Sequence, residues 1–221
     1  MADDRRMVIA GAGGHAAVLI EAVRSQGLWQ VAVLTDPAAR GEVLGVPIIG
    51  CDDMLAELRE QGIAAGLVGV GSVGDATTRV RLFERLGEVG FELPVVRHAR
   101  SVVSPSATLG AGSEVLAGSI INARAQIGRN VIVNTAAVVE HDCVVGDHVH
   151  LAPRCVLGGG VDVAEAAHVG LGAVVLEGRR IGAGSLVGAG AVVTRDVPEG
   201  VVVAGVPARV VRAVSRQSAT R

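Results

Sequence analysis

The chain has 221 residues, enough for two modest domains that each bury a core of their own. Half of the residues are hydrophobic, yet Trp29, Phe83 and Phe91 are the only aromatics, so the apolar content is almost wholly aliphatic. A formal net charge of −2 argues against nucleic acid or an anionic membrane surface as partner.

The first apolar run, residues 7–10, meets Gly-Gly-His too soon for a signal peptide or a membrane span, and the expected compartment is the cytoplasm. That run reads as a strand feeding a glycine turn and an amphipathic helix over 11–27. A second strand over 31–34 ends at Thr35-Asp36-Pro37. The acidic start and apolar spacing of 51–62 predict a helix, 66–70 a third strand, 77–87 a further helix and 93–96 a last strand. Strands alternating with helices make residues 1–97 a small Rossmann-like α/β domain with a parallel sheet.

Gly11, Gly13 and Ala16 match the dinucleotide fingerprint G-x-G-x-x-A, where backbone amides at a helix start approach a pyrophosphate. Fewer than a hundred residues supply about half of a full dinucleotide fold, and no domain for hydride transfer follows. A nucleotide-linked sugar therefore fits better than NAD. Gly13 and Gly14 are placed at its diphosphate and Asp36 near its ribose or base. His15 is either a phosphate donor or a solvent-facing residue of the helix start. Gly71 and Ser72 lie in a second glycine loop, 69–75, open to the same ligand or to ordinary turn chemistry.

After a short linker, 98–102, the sequence repeats with a period of six. Sixteen aliphatic residues recur without a break from Val103 to Val193, and a small or modest side chain follows each by four positions, Arg179 being the exception. Neither the strand period of two nor the helical 3.6 gives a strict six. A solenoid of short strands does, with three repeats to a triangular coil and residues eighteen apart stacked. The prism is assigned to 103–207 and rises on the order of 25 Å at about 4.8 Å per coil. Residues 208–221 form a tail. Cys143 and Cys155 fall on the small inward position and Cys51 stands apart, which leaves no CxxC pair and argues against an acyl-cysteine route.

Carried through the prism, the pattern [LIV]-[GAED]-x-x-[STAV]-x resembles the left-handed parallel β-helix of the hexapeptide acyltransferases. Joined to an N-terminal GxGGH domain, it resembles the acetyltransferases of nucleotide-activated amino sugars, which include the sialic acid O-acetyltransferase group and the bacillosamine and perosamine N-acetyltransferases. The resemblance implies a homotrimer that takes acetyl groups from acetyl-CoA bound between neighbouring prisms. It further implies transfer to the 4-amino group of a nucleotide-linked dideoxyamino sugar, GDP-perosamine being favoured. O-acetylation of sialic acid or of serine is the alternative.

The most informative run is NTAAVVEHDCVVGDHVHLAP, residues 134–153, whose first nine residues match the family segment N-x(5)-EH[ED]. His141 takes the third place of its repeat, facing outward beside Asp142, where a carboxylate holds an imidazole in one tautomer. The resemblance makes His141 the general base, Asp142 its orienting partner, Asn134 a substrate contact and Gly159, one coil above His141, an oxyanion donor. It also places His150 near the thioester. Gly170 and Gly188 keep the prism face open for CoA, and the GVPAR run brings Pro207 and Arg209 to its nucleotide end, with Arg195 a further phosphate candidate. His148 and His168 are left as surface residues. The separations among His141, His148, His150 and His168 do not suit a three-histidine zinc site, so no metal is expected.

Overall fold

The computed structural model describes residues 5–214; the first four residues and 215–221, the last part of the expected tail, lie outside the described residues. A three-stranded parallel sheet opens the chain. Its strands β1 (Arg6–Ala10), β2 (Gln30–Thr35) and β5 (Ala65–Val68) run in the order β2-β1-β5. Helix α1 (Gly14–Gln26) covers one side through Ala16, Leu19, Ile20 and Val23. Helices α2 (Leu55–Glu60) and α3 (Thr77–Val89) cover the other through Leu55, Leu58, Leu82, Phe83 and Leu86. The expected helix over 51–62 is thus split: a 3-10 turn, Asp52–Met54, leads into six helical residues. A hairpin, β3 (Glu42–Val43) with β4 (Val46–Pro47), escaped the sequence reading because it turns on Leu44 and Gly45, both at positive φ, in place of an Asn-Gly pair.

The last strand expected for this domain belongs elsewhere. Strand β6 (Val96–Arg97) pairs in parallel with Glu114–Val115 and forms the lowest rung of the prism, while only Glu92 bridges back to the α/β sheet, at Ala65. The reason is packing: Val96 is fully buried in the α1 cluster together with Leu116 and Ile132, so this rung is where the two cores meet.

From there the chain winds as a left-handed parallel β-helix of two-residue strands in three sheets of six, five and eight strands, the last completed at the top by two longer strands. Residues eighteen apart pair directly, as in Ile120↔Val138↔Val156. In each rung the second residue points inward, where Ile121, Val139, Leu157, Val175 and Val193 stack in one buried column. Cys143 and Cys155 are buried in that core, and burial pushes the Cys155 thiol up to about 12, so it is inert as a nucleophile. Arg179 occupies a small-residue position without entering the core; its guanidinium reaches the Glu177 carbonyl.

The first residue of each rung faces outward, and the three faces differ. The first face presents Val102, Ile120, Val138, Val156, Val174 and Val192. The second presents Thr108, Gln126, Val144, Asp162 and Arg180. The third, which the α/β domain covers, carries Glu114, Ile132, His150 and His168 in its middle. Above them Val201–Ala204 continues the face and Arg209–Ala213 folds back on it antiparallel.

Candidate active site

Two corners of the prism and one domain junction hold the residues singled out from the sequence. The corner between the first and second faces carries His141, Asp142 and Gly159. Asp142 adopts the left-handed conformation (φ 61°), which Asp tolerates better than most side chains, and the turn aims its carboxylate at the neighbouring ring. The His141 Nδ1–H donates to Asp142 Oδ2 at 2.7 Å, so the reach of the shorter Asp is sufficient. The imidazole is 59% exposed. Arg124, one coil below, was missed from sequence; its Nε and Nη2 grip both oxygens of Asp142 at 2.6 and 2.7 Å. Arg124, and after it His141, hold the Asp142 carboxyl well below the usual carboxylate range.

The coil above supplies the floor. A Cβ built on Gly159 would lie 2.7 Å from His141 Cε1 and Nε2, so only glycine lets the ring take this place. The Gly159 carbonyl accepts from Gly178, and Gly160 N–H donates to the His141 carbonyl at 2.9 Å. The Gly159 N–H has no hydrogen-bond partner among the described residues.

The corner between the third and first faces stacks Asn134, Ala152, Gly170 and Gly188 in one column, through bonds such as Asn134 N–H to the Leu151 carbonyl and Gly170 N–H to the Val187 carbonyl. Two of these glycines also answer to packing within the prism. A Cβ on Gly170 would sit 2.5 Å from the Val187 carbonyl oxygen, and one on Gly188 would sit 3.2 Å from Val203 O, so the coil above already demands a small residue at each. Residues 205–209 close the top of the first face, with Val192 N–H donating to the Gly205 carbonyl and Ala208 N–H to the Val192 carbonyl. Pro207, Arg209 and Arg195 are exposed there; among the described residues the Arg209 guanidinium meets only its neighbour's carbonyl, at Ala208.

At the domain junction the two glycine loops are pinned to the third face. His15, read as a phosphate donor or a solvent-facing residue, is neither free nor exposed: its Nε2 meets Glu114 Oε2 at 2.7 Å, with Glu114 itself buried. Burial opposes the His15 charge, but Glu114 outweighs it and the net shift is upward. His150, nearly fully buried, donates from Nδ1 to the Ser72 carbonyl at 2.7 Å and accepts at Nε2 from Asn134 Nδ2 at 3.1 Å. His168 stacks above it edge to face at 4.9 Å. Expected on the surface, His148 and His168 are both buried, because the α/β domain roofs this side of the prism. Burial first of all holds His150 down to about 3 and His168 to about 4, so both rings are neutral. Arg79, a second residue the sequence did not reveal, inserts from α3. It donates to the Asn130 and His148 carbonyls and, at 3.3 Å, to Ser72 Oγ; burial pulls it down to about 10, against the opposing pull of Glu114.

Gly13 and Gly14 have no atom within 4 Å of a built Cβ, leaving open space at the α1 N-terminus, and a Cβ on Gly71 would only graze His15 at 3.9 Å. Asp36 stands beside this space. Its oxygens accept from the N–H groups of Ala12, Ala38 and Ala39, which lower its carboxyl, so it ties the first glycine loop to the end of β2. Among the described residues no three His, Cys, Asp or Glu side chains gather as a metal site, and no helix is long and apolar enough to cross a membrane.

The structure thus joins His150, Asn134 and Ser72 in one network and His141, Asp142 and Gly159 in another, with no hydrogen bond between the two. Comparison with known proteins matches both halves of the chain. The PglD N-terminal domain model covers residues 6–86 and the bacterial transferase hexapeptide model (six repeats) covers residues 124–159. No curated protein matches the chain. Among solved structures, PerB from Caulobacter crescentus, in complex with CoA and GDP-perosamine, is 47% identical over 92% of this chain and 96% of its own, with a TM-score of 0.85. The acetyltransferase domain of PglB from Neisseria gonorrhoeae FA1090, in complex with acetyl coenzyme A, is 37% identical over 94% of this chain and 100% of its own, with a TM-score of 0.88. WeeI from Acinetobacter baumannii AYE is 27% identical over 93% and 99%, with a TM-score of 0.80. With its α/β and hexapeptide halves both matched and such identities along nearly its whole length, the chain belongs to the left-handed β-helix acetyltransferases of nucleotide-linked sugars, acetyl-CoA-dependent N-acetyltransferases of the hexapeptide family.

Proposed function

We propose that this enzyme acetylates the 4-amino group of a GDP-linked dideoxyamino sugar, GDP-perosamine, by direct attack on acetyl-CoA, with His141 as general base in a homotrimer. The observation that carries the reading is the His141 corner: an exposed imidazole whose Nδ1–H is spent on Asp142, leaving Nε2 as an acceptor next to a glycine with an unpartnered N–H. The neutral amine attacks the thioester carbonyl and passes a proton to Nε2. Gly159 N–H donates to the oxyanion, and collapse breaks the C–S bond, CoA thiolate leaving and taking up a proton. Gly13, Gly14 and the loop at Gly71 and Ser72 hold the diphosphate, and Asp36 lies by the ribose or base.

The positions of these pieces support a trimer. His141 stands at one end of the first face; the Asn134–Gly188 column and the 205–209 loop stand at the other. A ring of three copies with first faces turned inward sets the His141 corner of one chain beside the opposite corner of the next, a head-to-tail contact that closes after three. The aliphatic row from Val102 to Val192 is suited to such burial, and Val102 is 61% exposed in the single chain. The CoA-facing roles of His150, Gly170, Gly188, Pro207 and Arg209 are then played opposite a neighbour's His141, while Arg195 stands three coils above the chain's own His141, in the same corner column.

The test is thiol release from acetyl-CoA with a panel of GDP- and UDP-linked 4-amino sugars, serine and free sialic acid. Turnover is expected with the GDP-linked amine alone and is expected to fall by about 10²–10⁴ in His141→Ala. Release only with the hydroxyl acceptors, or an unchanged His141→Ala rate, contradicts the proposal.

A further inference from the structure

Arg124 occupies the same place as Asp142, one coil earlier. Both stand at corners with left-handed backbone (φ 60° and 61°), so their side chains leave the prism in the same direction and meet. The coils hold this stacking through the Asp142 N–H, which donates to the Ala123 carbonyl at 3.0 Å, and the Arg124 N–H, which donates to Ser106 Oγ at 3.1 Å. The resulting pair is bidentate: Nε to Oδ1 at 2.6 Å and Nη2 to Oδ2 at 2.7 Å. Oδ2 is the same oxygen that receives the His141 Nδ1–H.

A pair this open, with Arg124 66% exposed, adds little to the stability of a fold. Its geometry has another consequence. An aspartate has two torsions that let its carboxylate swing and turn freely at the surface, and a two-point guanidinium clamp removes that freedom. With both oxygens gripped, Oδ2 stays where Nδ1–H must donate. The ring is then fixed as the Nδ1–H tautomer, with Nε2 over Gly159. The other charged neighbour is Glu140, whose carboxylate reaches the His141 backbone N–H at 3.3 Å and not the ring; the coil above brings only Gly158, Gly159 and Gly160.

Resting on the assignment of His141 as base, we propose that Arg124 is a positioning residue for acetyl transfer, clamping Asp142 so that His141 presents an unprotonated Nε2 to the amine. Arg124 itself touches neither acetyl-CoA nor the acceptor in this role.

The test combines 15N NMR of the ring nitrogens with steady-state kinetics for wild type, Arg124→Gln and Arg124→Lys, using His141→Ala to assign the resonance. Wild type is expected to show the Nδ1–H tautomer at neutral pH and Arg124→Gln a mixture with the Nε2–H form. Its kcat should drop about tenfold with KM for acetyl-CoA unchanged, and Arg124→Lys, which keeps the charge but not the fork, should recover part of the loss. An Arg124→Gln ring that keeps the wild-type tautomer overturns the proposal, whatever happens to kcat, as does a loss seen chiefly in KM. Full activity in His141→Ala overturns the base assignment itself, a result the tautomer measurement cannot mimic.

Discussion

The first and third faces of the prism invert the usual relation between covering and polarity. The third face is covered by the α/β domain, yet its centre carries Glu114, His150 and His168; the first face is bare, yet it carries five valines and an isoleucine. The covered face is held by directed bonds, each to a named partner: Glu114 to His15, His150 to Ser72, and the Asn130 and His148 carbonyls to Arg79. Such contacts fix the glycine loops in one register, because a small slide leaves a buried polar group unpaired. An aliphatic row sets no such register, but it strongly favours a partner that removes it from water. One face orients the nucleotide domain within a chain, and the other is suited to joining chains.

The sharpest break in that comparison comes from charging the bare face. Val156→Asp, at its centre, should convert the proposed trimer to monomer in sedimentation velocity and lower activity at least about a hundredfold, since a carboxylate buried unpaired in that interface costs several kcal/mol at each copy. The fold itself should survive, because Leu157 and not Val156 fills the core. A trimer of normal activity would show that the first face is not the interface.

A smaller effect separates the covered face. His150 and His168 are held neutral down to about 3 and 4, against an ordinary 6.5, so the unfolded chain binds more protons than the folded one between those values. Their contribution to stability is complete above pH 6.5 and is lost as pH falls toward 4, at up to about 1.4 kcal/mol per pH unit for each ring. His15 works in the opposite sense: its pairing with Glu114 raises it, so that stabilisation is present below the ordinary histidine range and fades as pH rises through the raised value. Urea midpoints between pH 7 and 4 should therefore fall steeply in wild type and less steeply in His168→Asn. Equal slopes would mean that His168 protonates in place without opening the junction.

What the sequence revealed depended on how far apart the partners lie in the chain. The prism is legible from one rule, an aliphatic residue every sixth position, and the same rule puts Gly159 above His141. It also stacks Arg124 beneath Asp142, eighteen residues apart and opposite in charge, a pair the repeat makes legible. The contacts of His15 with Glu114 and of Arg79 with Asn130 span 99 and 51 residues, and they depend on how the α/β domain docks, for which no local pattern exists. The same docking explains why His148 and His168, outward in their repeats, are buried. The strand expected over 93–96 proves to be Val96–Arg97 in the prism for a related reason, since two residues carry no sign of the sheet they will join.

The most direct measurement is complementation between two inactive chains. Gly14→Glu sets a carboxylate against the diphosphate at a position with open space around it, and His141→Ala removes the base. Neither variant alone should turn over substrate. Unfolded together in equal amounts and refolded, they should regain about a quarter of wild-type activity, the share of head-to-tail contacts that join an intact His141 corner to an intact nucleotide loop. No recovery in mixtures verified as mixed trimers would place the whole site within one chain and contradict a site shared between copies.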